Sequence, residues 1–311
     1  MIAFLFPGQG SQKVGMGKAL ADAHPICRQT FEEADGALGE PLSRIIFDGP
    51  EDQLTRTENT QPAILAVSIA AHRLLAARGL QPAFVAGHSL GEYSANVAAG
   101  TFGFADALRV VRRRGRYMQE AVPLGEGAMA AILGLDADAV ARACEEGSEG
   151  DVVSPANLNG AGQVVIAGAR DAVKRAGERA KTLGAKRVIP LTVSAPFHCS
   201  LMKPAEERLA PELRALASAQ PRVPIVANVD GEIKRDAASA IEALVRQVSS
   251  PVRWEAVMTR LASEGVTTYV EVGPGNVLTG LARKVQRDAV TTTFGSPDDL
   301  ATVESLLGSG R

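Results

Sequence analysis

Residues 86–95 read AGHSLGEYSA, and the serine at the centre of GHSLG is the first group in the chain whose setting suggests chemistry. A serine between two glycines, after an apolar run and before a helical one, matches the nucleophile elbow, in which a sharp strand-to-helix turn exposes the hydroxyl. Ser89 is therefore the candidate nucleophile. The backbone N–H of Leu90 then opens the following helix, where donors have no intrahelical acceptor. The competing reading is a glycine turn with a serine cap.

A serine hydroxyl needs a general base, usually histidine, and the chain contains four. His24 lies at a helix end in AHP, His72 sits in an apolar helix that suits a surface or satisfied histidine, and His88 leaves the elbow in another direction from its neighbour Ser89. His198, in SAPFHCS, is the candidate base. Its alternative is a cap for the helix beginning near Leu201.

The helix expected over residues 105–122 carries five arginines. At about 100° per residue, Ala107, Val110, Val111, Tyr117, Met118 and Ala121 share one face, and Arg109, Arg112, Arg113 and Arg116 share the other. Arg114 falls in the middle of the apolar face beside Met118. A cation turned inward needs an anion. It either pairs with an internal Asp or Glu, or receives a carboxylate carried by the substrate, which a guanidinium fork binds with two hydrogen bonds. The second reading describes acyl chemistry on a substrate with a free carboxylate, which a plain esterase does not need.

These groups require elements that bring them together. IAFLF followed by PGQGSQ reads as a buried strand, a glycine-rich turn and a helix near Lys18–Ala23; PAILAVSIAAHRLLAAR (62–78) is a helix and PAFVAG a strand ending at the elbow. After residue 200, PIVANV, IEALVRQV, WEAVMTRLASEG, TTYVEV and GPGNVLTGLARKV continue the alternation of strand and helix. Between them, residues 125–193 read βαββαβ, the ferredoxin-like order. The expected fold is α/β: a large α/β-hydrolase-like domain with a parallel sheet (1–124 and 194–311) and a small ferredoxin-like domain (125–193) inserted into it. A cleft between the two suits a substrate. The GSGR tail is expected to fray.

Composition narrows the function classes. With 33 Lys and Arg against 35 Asp and Glu, the chain offers no electrostatic reason to bind nucleic acid or an anionic membrane. Its three cysteines form no disulfide framework or metal spacing. No stretch is long and apolar enough to span a membrane, and the N-terminus lacks a leader's basic region. The reading is a cytoplasmic protein, monomeric for want of a heptad run or interface stripe. Neither GQG nor GPG extends to a phosphate-binding motif, so both are turns.

With these motifs in view, the chain resembles the malonyl-CoA:acyl carrier protein transacylases, the acyltransferase family of fatty acid and polyketide synthesis. FPGQGSQ, GHSLGEYSA, RRRGRYMQ, NLNGAGQVVIAG, FHC, LVRQ, PVRW and EVGPGNVLTGL carry the likeness from end to end. The resemblance implies Ser89 as the acylated nucleophile, His198 as base and later acid, and Arg114 as the clamp for the malonyl carboxylate. It also implies an oxyanion hole from the amides of Gln9 and Leu90, and a backbone carbonyl at Gln247 orienting the histidine in place of a triad acid. Met118 and Phe197 join the substrate-binding residues, with Leu90 and Phe197 fitting the malonyl-preferring pattern, although Ala195 and Pro196 depart from the family's fuller histidine motif. The implied reaction is ping-pong transfer from malonyl-CoA to the phosphopantetheine thiol of an acyl carrier protein, with no bound cofactor or metal. Arg112, Arg113 and Arg116 are candidates for a basic rim facing that acidic partner, or simply a solvated face. The rival functions are a discrete acyltransferase serving a polyketide synthase, a serine hydrolase or thioesterase, and a silent docking protein.

Overall fold

The structure is a computed structural model that describes residues 1–308; the tail beyond, where fraying is expected, lies outside the described residues. In chain order, β1 (Ile2–Phe6) is followed by α1 (Lys18–Ala23), α2 (Pro25–Leu38), α3 (Leu42–Asp48), α4 (Glu51–Leu54) and α5 (Thr57–Ala77). Next come β2 (Phe84–Gly87), α6 (Leu90–Ala99) and α7 (Phe104–Glu120), then β3 (Gly127–Leu133), α8 (Ala137–Ser148), β4 (Val153–Gly160), β5 (Gln163–Ala169), α9 (Arg170–Thr182) and β6 (Arg187–Pro190). The last part runs α10 (Lys203–Arg214), β7 (Ile225–Val226), β8 (Ile233–Lys234), α11 (Ala237–Gln247), α12 (Trp254–Ser263), β9 (Thr268–Val272), α13 (Val277–Val285), β10 (Val290–Phe294) and α14 (Leu300–Gly308).

Two sheets result. The larger has the order β10-β9-β1-β2-β7-β8 and is parallel throughout except for the β7/β8 pair. Its central strand β1 is buried on both faces, as a strand covered by helices must be. Phe4 and Phe6 point into the main core with α2, α5 and α7, while Ala3 and Leu5 point into a second core with Trp254, Leu261 and Leu281. The smaller sheet, β4-β5-β3-β6, is antiparallel. Ala130, Ile132, Val164 and Ile166 face α8 and α9, and the alternate residues Met129, Ala131, Val165 and Ala167 join the main core. The outer edge of β4 is also stitched to the larger part, since Leu158 N–H donates to Val252 O and Val252 N–H to Ala156 O, each at 2.8 Å.

Two expectations need correcting. The helix placed at residues 62–78 begins five residues earlier, at Thr57, so Pro62 lies inside α5. A proline there leaves the Glu58 carbonyl without its ladder donor, and tertiary packing holds the added turn. Gly115 of α7 approaches so closely that a Cβ there would stand 2.7 Å from Thr57 O. His72 is neither exposed nor satisfied. It is half-buried edge-on to Phe4 and Phe6, and its Nδ1 has no hydrogen-bond partner among the described residues.

Candidate active site

Parallel strands direct the loops after their carboxyl ends toward one edge of the sheet, where α/β proteins place ligands. Phe6 of β1 is in register with Gly87 of β2, and Ala86 of β2 with Val226 of β7. Gln9, Ser89 and Asn228, each two or three residues past those pairs, therefore emerge side by side.

The elbow is tight. Ser89 has φ 52° and ψ −106°, a conformation that non-glycine residues adopt at a cost of about 1–3 kcal/mol. Both flanking glycines are required by contact: a Cβ on Gly87 would lie 2.0 Å from Gly91 C, and one on Gly91 would lie 1.9 Å from Phe6 O. The strained turn is secured by Asn228, whose Oδ1 accepts the Ser89 N–H at 2.7 Å while its Nδ2 donates to Gly87 O at 2.8 Å.

The half-buried Ser89 Oγ lies 2.7 Å from His198 Nε2, and His198 Nδ1 lies 3.0 Å from the backbone carbonyl of Gln247. A carbonyl only accepts, so Nδ1 carries the proton and Nε2 presents a lone pair to the hydroxyl. His198 is 3% exposed. Burial, reinforced by the positive charge of Arg114, holds its imidazole down at about 3, so it is neutral at physiological pH with Nε2 free to accept. Its backbone is in the left-handed region at φ 62°. The 3-10 turn Ser200–Met202 is preceded by Cys199 without a side-chain cap, so His198 does not serve as one.

Arg114 is 2% exposed, as the helical wheel predicts, with its guanidinium over the Tyr93 ring. Its Nη1 donates to Gln61 Oε1 at 2.8 Å, and its Nη2 donates to Gln247 Oε1 at 2.9 Å and to Ser89 Oγ at 3.2 Å. Among the described residues no carboxylate lies within 4.0 Å of it. The internal ion pair that could have explained an inward arginine is thus absent among them, and a buried cation stands beside the nucleophile with neutral neighbours. The other arginines of α7 all meet acids: Arg109 pairs with Asp106, Arg112 with Glu40, Arg113 with Glu212 and Arg116 with Glu58. Arg112 is largely covered, which departs from a uniformly solvated face.

The remaining expected residues surround this centre. Gln9 is exposed, and its Nε2 donates to Thr57 Oγ1, which in turn contacts Ser194 Oγ at 3.0 Å. Met118 is buried with its sulfur 3.9 Å from Gln61 Nε2, and Leu90 and Phe197 are buried. An open depression of about 500 Å³, lined in part by Thr57, Gln119, Leu124 and Ser194, adjoins Gln9's partners. His88 turns away from Ser89 to lie tilted against Trp254 and to contact Asn159 Oδ1 at 3.1 Å.

Sequence reasoning passed over Gln61, Glu92 and Asn228. Glu92 had a signal of the kind that exposed Arg114, a charge on an otherwise apolar helix. It is 1% exposed, its Oε2 accepts from Asn228 N–H at 3.0 Å and from Gln247 Nε2 at 2.7 Å, and burial pushes its carboxyl up to about 7. Asn228 had none, because the sequence reads it as one more residue of the strand PIVANV.

The acyl transferase domain family matches residues 3–302. The malonyl CoA-acyl carrier protein transacylase of Salmonella typhimurium is 51% identical over 300 residues, spanning 96% of this chain and 97% of that protein. Among solved structures, an acyl carrier protein S-malonyltransferase from Vibrio cholerae superposes with a TM-score of 0.95 at 48% identity, covering 97% of this chain and 99% of that one. A malonyl-transacylase in complex with its type II polyketide synthase acyl carrier protein also reaches 0.95, at 46% identity over 98% and 99%. The chain belongs to the acyl transferase family, among the malonyl-CoA:acyl carrier protein transacylases.

Proposed function

We propose that this enzyme transfers a malonyl group from malonyl-CoA to the phosphopantetheine thiol of an acyl carrier protein in two half-reactions through Ser89. In the first, His198 Nε2 takes the hydroxyl proton as Ser89 Oγ attacks the thioester carbonyl, and the N–H groups of Gln9 and Leu90 receive the oxyanion. The C–S bond breaks, and CoA leaves as a thiol with the proton held by His198. In the second, the carrier's thiol gives its proton to His198, attacks the seryl ester and releases Ser89, which recovers that proton. Arg114 holds the malonyl carboxylate throughout. Gln247 O takes the orienting role of a triad acid.

The observation that carries this reading is a buried guanidinium 3.2 Å from the Ser89 hydroxyl, with neutral partners in place of a protein carboxylate. It supports a substrate that brings its own anion. The strand order β4-β5-β3-β6 supports a ferredoxin-like part (125–193) inserted in a hydrolase-like one (1–124 and 194–311), with the acyl chain held between them by Met118 and Phe197. Supply of fatty acid synthesis is the reading for the pathway; the equal likeness to a polyketide-associated transacylase makes that carrier the second one to assay.

Intact-mass spectrometry after brief exposure to malonyl-CoA or acetyl-CoA tests the proposal. The wild-type chain should gain a malonyl adduct that a carrier thiol discharges. Ser89→Ala should gain none, and Arg114→Ala should load malonyl at least about a hundredfold more slowly, the scale of lost charge-assisted hydrogen bonds. Free malonate without an adduct would favour a hydrolase, and equal loading of acetyl would remove the carboxylate clamp.

A further inference from the structure

Arg114 and Glu92 are both buried and oppositely charged when ionised, yet they do not touch. The Gln247 side chain stands between them. Its Oε1 accepts from Arg114 Nη2 at 2.9 Å, while its Nε2 donates to Glu92 Oε2 at 2.7 Å and to Ser89 O at 2.9 Å. An amide has two distinguishable ends, and their partners decide which way it faces. Glu92 Oε2 also accepts the Asn228 N–H, and the Ser89 carbonyl accepts only, so both hold the NH₂ end, and the oxygen end must turn to the guanidinium.

We propose that Glu92 is a positioning residue for substrate selection, fixing the Gln247 amide so that its oxygen holds Arg114 in place for a carboxylate-bearing acyl group. This rests on the reading of Arg114 as the malonyl clamp. The arrangement balances two demands. A buried cation needs a compensating charge, but a carboxylate directly on Arg114 would occupy the hydrogen bonds that the substrate requires. Placing Glu92 one amide away lets its ionised form compensate the charge while leaving the guanidinium with neutral acceptors, which a carboxylate can displace. Asn228 secures the anion's position. Its N–H binds the same Glu92 Oε2, and its side chain anchors the elbow, so carboxyl, amide and nucleophile form one connected frame. Connected buried networks of this kind are rigid only while every member is satisfied.

Glu92→Gln is the informative change, because it keeps the shape while adding an NH₂ that competes for the same acceptor oxygens and lets the Gln247 amide turn over. Rates of Ser89 acylation by malonyl-CoA and by acetyl-CoA are measured side by side by intact mass. The acetyl group does not use Arg114, so the ratio isolates the clamp. The malonyl-to-acetyl ratio should fall by about tenfold or more, the equivalent of one weakened hydrogen bond to a charged group. A ratio within about twofold of wild type, including equal loss of both rates, would assign Glu92 a structural role only and overturn the proposal. If circular dichroism shows Glu92→Gln unfolded, Glu92→Asp takes its place: it keeps the charge, falls one methylene short of Gln247, and is judged by the same ratio. Failure of the wild-type chain itself to load malonyl would instead remove the reading on which the proposal rests.

Discussion

The proposed transfer depends on a single imidazole staying neutral. His198 is buried and faces Arg114, and both effects disfavour its charged form. Protonation is therefore confined to the moment when the Ser89 proton arrives, at which point the Gln247 carbonyl bonds the Nδ1–H more strongly. The neighbouring Phe197 is proposed to act on the substrate. It is buried in the peptide that delivers His198 and packs into the main core. Its ring is expected to fill the volume that an α-methyl group on the malonyl unit would need, so Phe197→Ser should raise loading by methylmalonyl-CoA relative to malonyl-CoA by about tenfold, the usual scale of discrimination by one methyl group. Competition between the two thioesters, read by adduct mass, measures that ratio; methylmalonyl loading no better than wild type would sink the idea.

At the scale of elements, α6 must start almost in contact with β1. The approach of Gly91 to Phe6 O leaves no room for a methyl group, and the obstacle is backbone, which cannot rotate away. Gly91→Ala should therefore destabilise the fold by at least about 2–3 kcal/mol, the upper part of the overpacking range, and should reduce Ser89 acylation by displacing the elbow. Urea denaturation checks the first effect and adduct formation the second; an unchanged midpoint with full acylation would mean that the helix can shift at no cost. The same closeness explains what could be read from the sequence. GHSLG suggests its purpose because the glycine–serine–glycine spacing is complete within five residues, and Arg114 because a helical wheel alone places it inward. Asn228 and Gln61 are silent because their partners Ser89 and Arg114 lie 139 and 53 residues away, where only the sheet order joins them. The early start of α5 was hidden for a similar reason, since Pro62 discourages a helix locally while the contact with Gly115 of α7 holds it.

The whole molecule carries several buried groups whose charge state differs between folded and unfolded chains, and they set how its stability responds to acid. His72 is pushed down to about 4, first by burial and then by the charges of Arg222 and Arg73. Its unfolded form takes a proton below the ordinary imidazole value of 6.5, while the folded form stays neutral until about 4. Across that window the folded chain binds fewer protons, so this stability is fully present above about pH 6.5 and is lost as pH falls toward 4. His198 acts in the same direction over 6.5 to about 3. Glu92 opposes them: the folded form keeps its proton up to about 7, against 4.5 unfolded, so its contribution improves as pH falls through that range. His88, lowered by burial, adds to the loss on acidification, and Glu271, raised by burial, joins Glu92 in opposing it, so three histidines stand against two glutamates. His72 lies outside the site, flanked by Phe4 and Phe6 with an unpartnered Nδ1, so its share can be removed without touching catalysis. His72→Leu should narrow the loss of unfolding free energy between about pH 7.5 and about pH 5 by roughly 1–2 kcal/mol, after allowance for partial exposure. Urea titrations of both chains at the two pH values supply the comparison. A variant that loses as much stability as the wild type would show that His72 is already solvated in the fold, and would place the acid sensitivity in the active site instead.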